Sequence, residues 1–113
     1  MLPIGIACAV LQLVAAAWVV NGGGGTVSRI DPATNRVVAT IRVHAMPTGI
    51  TFGRGRIWVA SIAGAGVQAI DPATNRVVGA VSGIAGPRDV AVVGRDLWVA
   101  SFDASELVRV RLR

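Results

Sequence analysis

The stretch Ile-Asp-Pro-Ala-Thr-Asn-Arg-Val-Val runs from Ile30 to Val38 and recurs without change from Ile70 to Val78. The offset is 40 residues, and the same offset relates Trp18, Trp58 and Trp98, which are all the tryptophans of the chain. A fixed period of this length is the signature of a repeat architecture, in which each repeat is one supersecondary unit. The repeated string therefore decides the fold.

The composition is that of a folded domain rather than a disordered chain. Of the 113 residues, 53% are hydrophobic and 15% are charged, which suits one domain with a modest core. The net charge of +5 comes from 11 arginines spread over both repeats. Nucleic-acid binding is not expected, because no aromatic residues alternate with the arginines as a stacking platform would need. The single cysteine, Cys8, excludes an intrachain disulfide.

Each 40-residue unit divides into four short segments that are rich in β-branched residues and bounded by Gly, Pro and Asn. Such segments predict strands. Four strands in 40 residues leave about ten residues for each strand and its turn, close to typical strand and loop lengths. The sequence therefore predicts an all-β fold of antiparallel four-stranded units, which is the pattern of β-propeller blades.

The loop between the third and fourth strands opens with Asp31 and closes with Asn35, and its twin runs from Asp71 to Asn75. Asp followed by Pro is typical of a type I turn, in which the carboxylate accepts a backbone N–H two residues on. Asn tolerates the left-handed conformation that closes a hairpin. A calcium site would need more carboxylates in one loop, so we interpret both loops as structural turns.

Three motifs together resemble the YVTN-type β-propeller repeat, which is related to NHL and streptogramin B lyase-like propellers. They are Pro-x-Gly-Ile-x-Phe-Gly from Pro47, Trp-Val-Ala-Ser from Trp58, and the Gly-x-Val-x-x-Ile-Asp-Pro-Ala-Thr-Asn-Arg-Val-Val stretch that ends at Val78. The resemblance covers 18–113. It implies that the Pro-Gly-Ile strand is innermost and that the protein is bacterial and secreted or on the cell surface. Because Trp18, Trp58 and Trp98 recur at one blade position, we favour packing between blades over ligand stacking for them. A cytoplasmic location is the alternative.

On this assignment the chain contains about two and a half to three blades: a partial blade over 18–46, a full blade over 47–86 and a partial blade over 87–113. Propellers typically close with about 4–8 blades, so we expect an incomplete propeller. It is either a fragment of a larger propeller, a degraded copy, or a protomer of a homo-oligomer that completes a ring.

Residues 1–17 are apolar apart from Gln12 and have two interpretations. One is an export signal or a short membrane anchor, with Ala15-x-Ala17 as a cleavage site. The other, which we favour, is a degenerate innermost strand, because Pro3 to Ala7 echoes Pro47 to Thr51. A membrane contact is expected only if this segment is an anchor.

Five polar residues are candidates for function. His44 ends an outer strand and has no His or Cys partner nearby in sequence, so we favour a turn residue over a metal ligand or general base. Arg54, Arg56, Arg88 and Arg95 are placed near the turn between the two inner strands. They are either solvated turn charges or a basic rim at one face of the ring.

No catalytic constellation and no cofactor or metal motif is evident, which favours a non-catalytic scaffold that binds a protein or a polysaccharide. The alternative, by resemblance, is an enzyme of the virginiamycin B lyase family. That chemistry needs a base and a metal-binding carboxylate near the channel. The acidic residue often seen after the aromatic strand is replaced by Ser61 and Ser101 in this sequence, which argues against the lyase.

Overall fold

The computed structural model describes residues 7–13 and 16–112, with side chains from Ala16 onwards. Within this part of the chain, eleven strands form three antiparallel sheets, which we call blade 1 (β1 to β4), blade 2 (β5 to β8) and blade 3 (β9 to β11). The strands are β1 (Ala7–Leu13), β2 (Ala16–Asn21), β3 (Thr26–Asp31), β4 (Arg36–Arg42), β5 (Pro47–Gly53), β6 (Arg56–Ser61), β7 (Gly66–Asp71), β8 (Arg76–Ser82), β9 (Pro87–Val93), β10 (Asp96–Ser101) and β11 (Glu106–Arg111).

The first strand of each blade obeys the 40-residue register: Ala7–Leu13, Pro47–Gly53 and Pro87–Val93. The strands β1, β5 and β9 pack side by side in that order. Because β1 pairs along its length with β2, the first sheet extends N-terminal to the boundary at Trp18 that the sequence suggested. Most of the echo that begins at Pro3, residues 3–6, lies outside the described part of the chain, and the export-signal interpretation stays a prediction.

Blade 2 is buried on both faces. Successive side chains of a strand point to opposite faces, so Ile57 and Val59 of β6 pack against blade 1 while Trp58 and Ala60 pack against blade 3. All four are between 0% and 8% exposed. This double burial explains why the second strand is a continuous apolar run rather than an alternating one.

The innermost strands β5 and β9 approach closely because β5 carries glycine where it meets β9. A Cβ added at Gly49 would lie 2.8 Å from the backbone oxygen of Arg88. A Cβ at Gly53 would overlap the side chain of Val92. Both positions therefore require glycine for the blades to meet at this spacing.

The contact between blades 1 and 2 is centred on Trp18, which is 0% exposed. Arg29 lies opposite Trp18 on the neighbouring strand, with its Cζ 4.9 Å from the ring centroid. From there Arg29 Nη1 donates to the backbone oxygen of Pro72 and to Oδ1 of Asn75, each at 3.0 Å. One cation–π pair thus ties the apolar face of blade 1 to the hairpin of blade 2.

The duplicated string forms the hairpins between the third and fourth strands of blades 1 and 2. Asp31 Oδ1 accepts the N–H of Ala33 at 2.9 Å, and Asp71 Oδ1 accepts that of Ala73 at 3.0 Å. The last turn residue is Asn in both hairpins and has a φ of 56° or 58°. Both aspartates therefore hold their own turns.

We expect the tryptophans to differ in their contribution to stability according to their place between blades. Trp18→Ala should lower the free energy of unfolding by about 3–5 kcal/mol, because it leaves a cavity between two blades. Trp98→Ala should lower it by about 1 kcal/mol or less, because Trp98 is only half-buried. Urea unfolding at low protein concentration measures both, and equal losses would contradict the inter-blade role of Trp18.

Candidate functional site

A cavity of about 240 Å³ opens at the end of the blades where β5 and β9 begin. We call it the loop groove. It is lined by residues from the β2–β3 loop, the β4–β5 connection, the start of β5, the β6–β7 loop and the start of β9, namely Gly22, Gly23, Met46, Pro47, Thr48, Ile62 and Arg88. Binding sites are commonly built from loops that a rigid scaffold holds in place, and this groove has that construction.

The β4–β5 connection is fixed by backbone and side-chain hydrogen bonds. The N–H of Ile62 donates to the oxygen of Met46 at 3.0 Å. The N–H of His44 donates to Oε1 of the buried Gln68 at 2.7 Å, and the His44 ring packs over Gly64. His44 therefore joins blade 1 to blade 2 through its backbone and the face of its ring.

Met46 is 53% exposed and has a φ of 58°. The equivalent residue one repeat later is Gly86, whose φ is 53°. The connection thus needs a left-handed residue, and a non-glycine residue there costs about 1–2 kcal/mol. At Gly86 the space beside the Cα is taken by the Asp103 side chain, whereas the equivalent residue beside Met46 is the smaller Ala63. An exposed apolar side chain held in a strained conformation is a candidate for function.

On the other side of the groove, Arg88 stacks on Phe102, with Cζ 5.0 Å from the ring centroid. Phe102 is 68% exposed and Arg88 is exposed as well. Among the described side chains, the ion pair found is Arg111 with Asp96, so the guanidinium of Arg88 offers its N–H groups to an external acceptor. A guanidinium held over a ring by a cation–π contact keeps its N–H groups available for a carboxylate.

The four candidate arginines do not form one basic rim. Arg54 and Arg56 lie at the β5–β6 turn and Arg95 lies at the β9–β10 turn. Arg88 lies at the start of β9, which places it roughly 20 Å away at the other end of a seven-residue strand. The expectation that Arg88 joins the other three was wrong, because it follows the proline that begins the strand rather than the turn that ends it.

Over the described residues, no group of three His, Cys, Asp or Glu side chains comes close enough to hold a metal ion. The described part of the chain also contains no helix that is long and apolar enough to cross a membrane.

Sequence reasoning missed the apolar residues of the groove region. The position after the second strand is Gly22 in blade 1, Ile62 in blade 2 and Phe102 in blade 3, so it varies where the tryptophan position does not. Met46 similarly replaces the glycine found at Gly86. The sequence signal for these positions was therefore that they differ between repeats. Their side chains are not chemically reactive, so motifs for catalysis or metal binding do not include them.

Solved structures with this fold are similar to the chain over most of its length. Hydrazine synthase of Kuenenia stuttgartiensis matches 84% of this chain with 32% of its own, at 16% identity and a TM-score of 0.72. A catalytically inactive virginiamycin B lyase from Staphylococcus aureus, with quinupristin, matches 83% of this chain with 33% of its own, at 20% identity and a TM-score of 0.72. The WD40 β-propeller domain of Doa1 matches 92% with 36%, at 16% identity and a TM-score of 0.80.

The chain has part of a β-propeller fold. It spans about a third of the length of these three chains, and at these identities the likeness shows the fold alone. No family model and no curated protein matches the sequence.

We expect Met46→Gly to be more stable than Met46→Ala by about 1 kcal/mol, because glycine adopts a positive φ without strain and alanine does not. Thermal and urea unfolding of the two variants measure the difference. Gly86→Ala is the matched control and should be destabilised, since its added Cβ meets Asp103. If Met46→Ala proves as stable as Met46→Gly, Met46 is not strained.

Proposed function

We propose that the protein is a non-catalytic propeller module that binds a partner protein through the loop groove. The observation that carries the proposal is the pairing of an exposed, strained Met46 with Arg88 stacked on Phe102 across a preformed cavity. Loops tied by hydrogen bonds lose little conformational entropy on binding, which favours affinity.

The chemistry of the groove favours an acidic, partly apolar peptide segment as the ligand. Met, aromatic residues and Arg are enriched at protein interfaces relative to the rest of the surface. Met46 and Ile62 offer apolar contact, and Arg88 offers N–H donors to a carboxylate. A polysaccharide usually stacks on aromatic faces, and Arg88 leaves at most one face of Phe102 free for such stacking, which makes a peptide the favoured ligand.

We also propose membership in the YVTN-type group of propellers and an exported or surface location in a bacterium. Both rest on the motifs that begin at Pro47 and Trp58 and on the duplicated hairpin string. An exposed groove on a rigid repeat scaffold is consistent with contact to an extracellular partner.

Selection from a phage-displayed random peptide library tests the binding proposal. We expect enriched peptides that carry Asp or Glu beside an apolar residue. Met46→Gly and Arg88→Ala should each weaken their binding by about tenfold, which corresponds to roughly 1.4 kcal/mol. Isothermal titration calorimetry with a synthetic copy of the enriched peptide measures the affinities.

Arg95→Ala is the matched control, because it removes an exposed arginine at the opposite end of the same blade. It should leave the affinity unchanged. If Arg88→Ala and Arg95→Ala weaken peptide binding equally, the loss of affinity comes from net charge and not from a specific contact of Arg88. If no peptide sequence is enriched and the protein binds on an array of bacterial polysaccharides, the ligand is a polysaccharide rather than a protein.

The lyase alternative is favoured by the structural similarity to virginiamycin B lyase. We nevertheless expect no ring opening of quinupristin by this chain, with or without Mg²⁺. Its one histidine, His44, packs its ring on Gly64, and in the described part of the chain no carboxylates gather beside it. Chromatography of the antibiotic after incubation checks this. Opening that requires Mg²⁺ and is lost in His44→Ala would make the protein an enzyme.

A further inference from the structure

The outward face of blade 3 carries the residues that blades 1 and 2 bury between blades, but here they are open. Ala100 is exposed, whereas its equivalent Ala60 is 0% exposed. Leu107 is 66% exposed, whereas its equivalent Val67 is 1% exposed. Together with Trp98, these side chains line a shallow cavity of about 130 Å³. We call this surface the open face.

The open face also repeats the polar contact that joins blades 1 and 2. Arg109 lies directly opposite Trp98 on the next strand, as Arg29 lies opposite Trp18. The Arg109 Cζ is 5.6 Å from the Trp98 ring centroid, and the corresponding distance for Arg29 is 4.9 Å. Blade 2 lacks the pair, since Ala69 stands opposite Trp58. The open face therefore resembles the face of blade 1 that receives a hairpin.

The hairpin that such a face receives is present on the surface of the same chain. Arg29 binds Pro72 and Asn75, and both are partly buried. Their counterparts in the identical string of blade 1, Pro32 and Asn35, are exposed. Asn35 has nearly the same φ as Asn75, 56° against 58°, so its side chain leaves the hairpin from the same backbone conformation.

We propose that the open face of one protomer docks on blade 1 of a second copy, head to tail. Arg109 of the first protomer donates to the backbone oxygen of Pro32 and to Oδ1 of Asn35 in the second, while Trp98 and Leu107 become buried. The contact is heterologous, so it leaves an open face and a free hairpin at the two ends of each dimer and permits larger assemblies.

The association is expected to be weak. On the second protomer, the face beside the hairpin includes Val19 and Ile30, which are 3% and 6% exposed before any partner arrives. Docking that rearranges a covered surface lowers the association rate and the affinity. We therefore expect a dissociation constant on the order of micromolar rather than a permanent ring.

Sedimentation velocity over a range of concentrations tests the interface with two single variants. Arg109→Ala removes the donor, and Asn35→Gly removes the acceptor side chain while keeping a residue that tolerates a positive φ. Each should raise the dissociation constant by about tenfold. Arg54→Gly is the control, because it removes an exposed arginine from the central blade and its repeat counterpart is Gly94. It should leave association unchanged.

An equimolar mixture of the two variants gives the decisive measurement. The Asn35→Gly protomer keeps Arg109 and the Arg109→Ala protomer keeps Asn35, so a head-to-tail contact restores a 1:1 dimer at wild-type affinity but no larger species. If only Arg109→Ala weakens association and the mixture does not restore the dimer, the interface is instead a symmetric contact between two open faces. A wild-type protein that stays monomeric at the highest concentration would overturn the proposal.

The peptide-binding proposal does not depend on this interface. Neither Arg109 nor Asn35 lines the loop groove. Peptide affinity should therefore be the same in both association variants, and association should be unchanged in Arg88→Ala.

Discussion

The burial of one blade against the next is the interaction on which the rest of the structure depends. A four-stranded sheet cannot bury both of its apolar faces alone, so each blade needs a neighbour on each side. Blade 2 satisfies this need with Ile57 and Val59 on one face and Trp58 and Ala60 on the other. The glycine at position 49 sets how close the innermost strands come, and Trp18 and Trp58 fill the wider space farther out.

The repeat made most of this fold predictable from the sequence. The hairpin turns follow from local chemistry, because Asp71 and Asn75 act on residues within their own loop. The period placed the strands from β2 onwards, whereas for β1 we relied on the proline echo at Pro3, and β1 instead begins at Ala7 in the 40-residue register. A short proline-containing motif is a weaker guide than the period, because inter-blade packing requires every first strand to stand at the same place in its blade.

The candidate site was less predictable, because it depends on which ends of separate strands come together. Arg88 and Arg95 are seven residues apart, and only the position of the strand between them puts them at opposite ends of the blade. Met46 is chemically unremarkable, and its interest comes from its backbone conformation and exposure. Neither property follows from residue type. Positions that bind a ligand are free to differ between blades, whereas positions that hold blades together are constrained by the same neighbour in every repeat.

The need of each blade for a neighbouring blade also links the fold to its assembly. An arginine on a tryptophan ring gains from the cation–π contact and from hydrogen bonds that it makes to the next hairpin, and both contributions depend on a neighbouring blade. Within the chain, Arg29 makes those hydrogen bonds. Arg109 keeps the stacked geometry on Trp98 while fully apolar neighbours such as Leu107 stay exposed. A repeat face that is adapted to water usually has a polar surface. Blade 3 instead presents an inter-blade surface, which is the chemistry of a contact rather than of a cap.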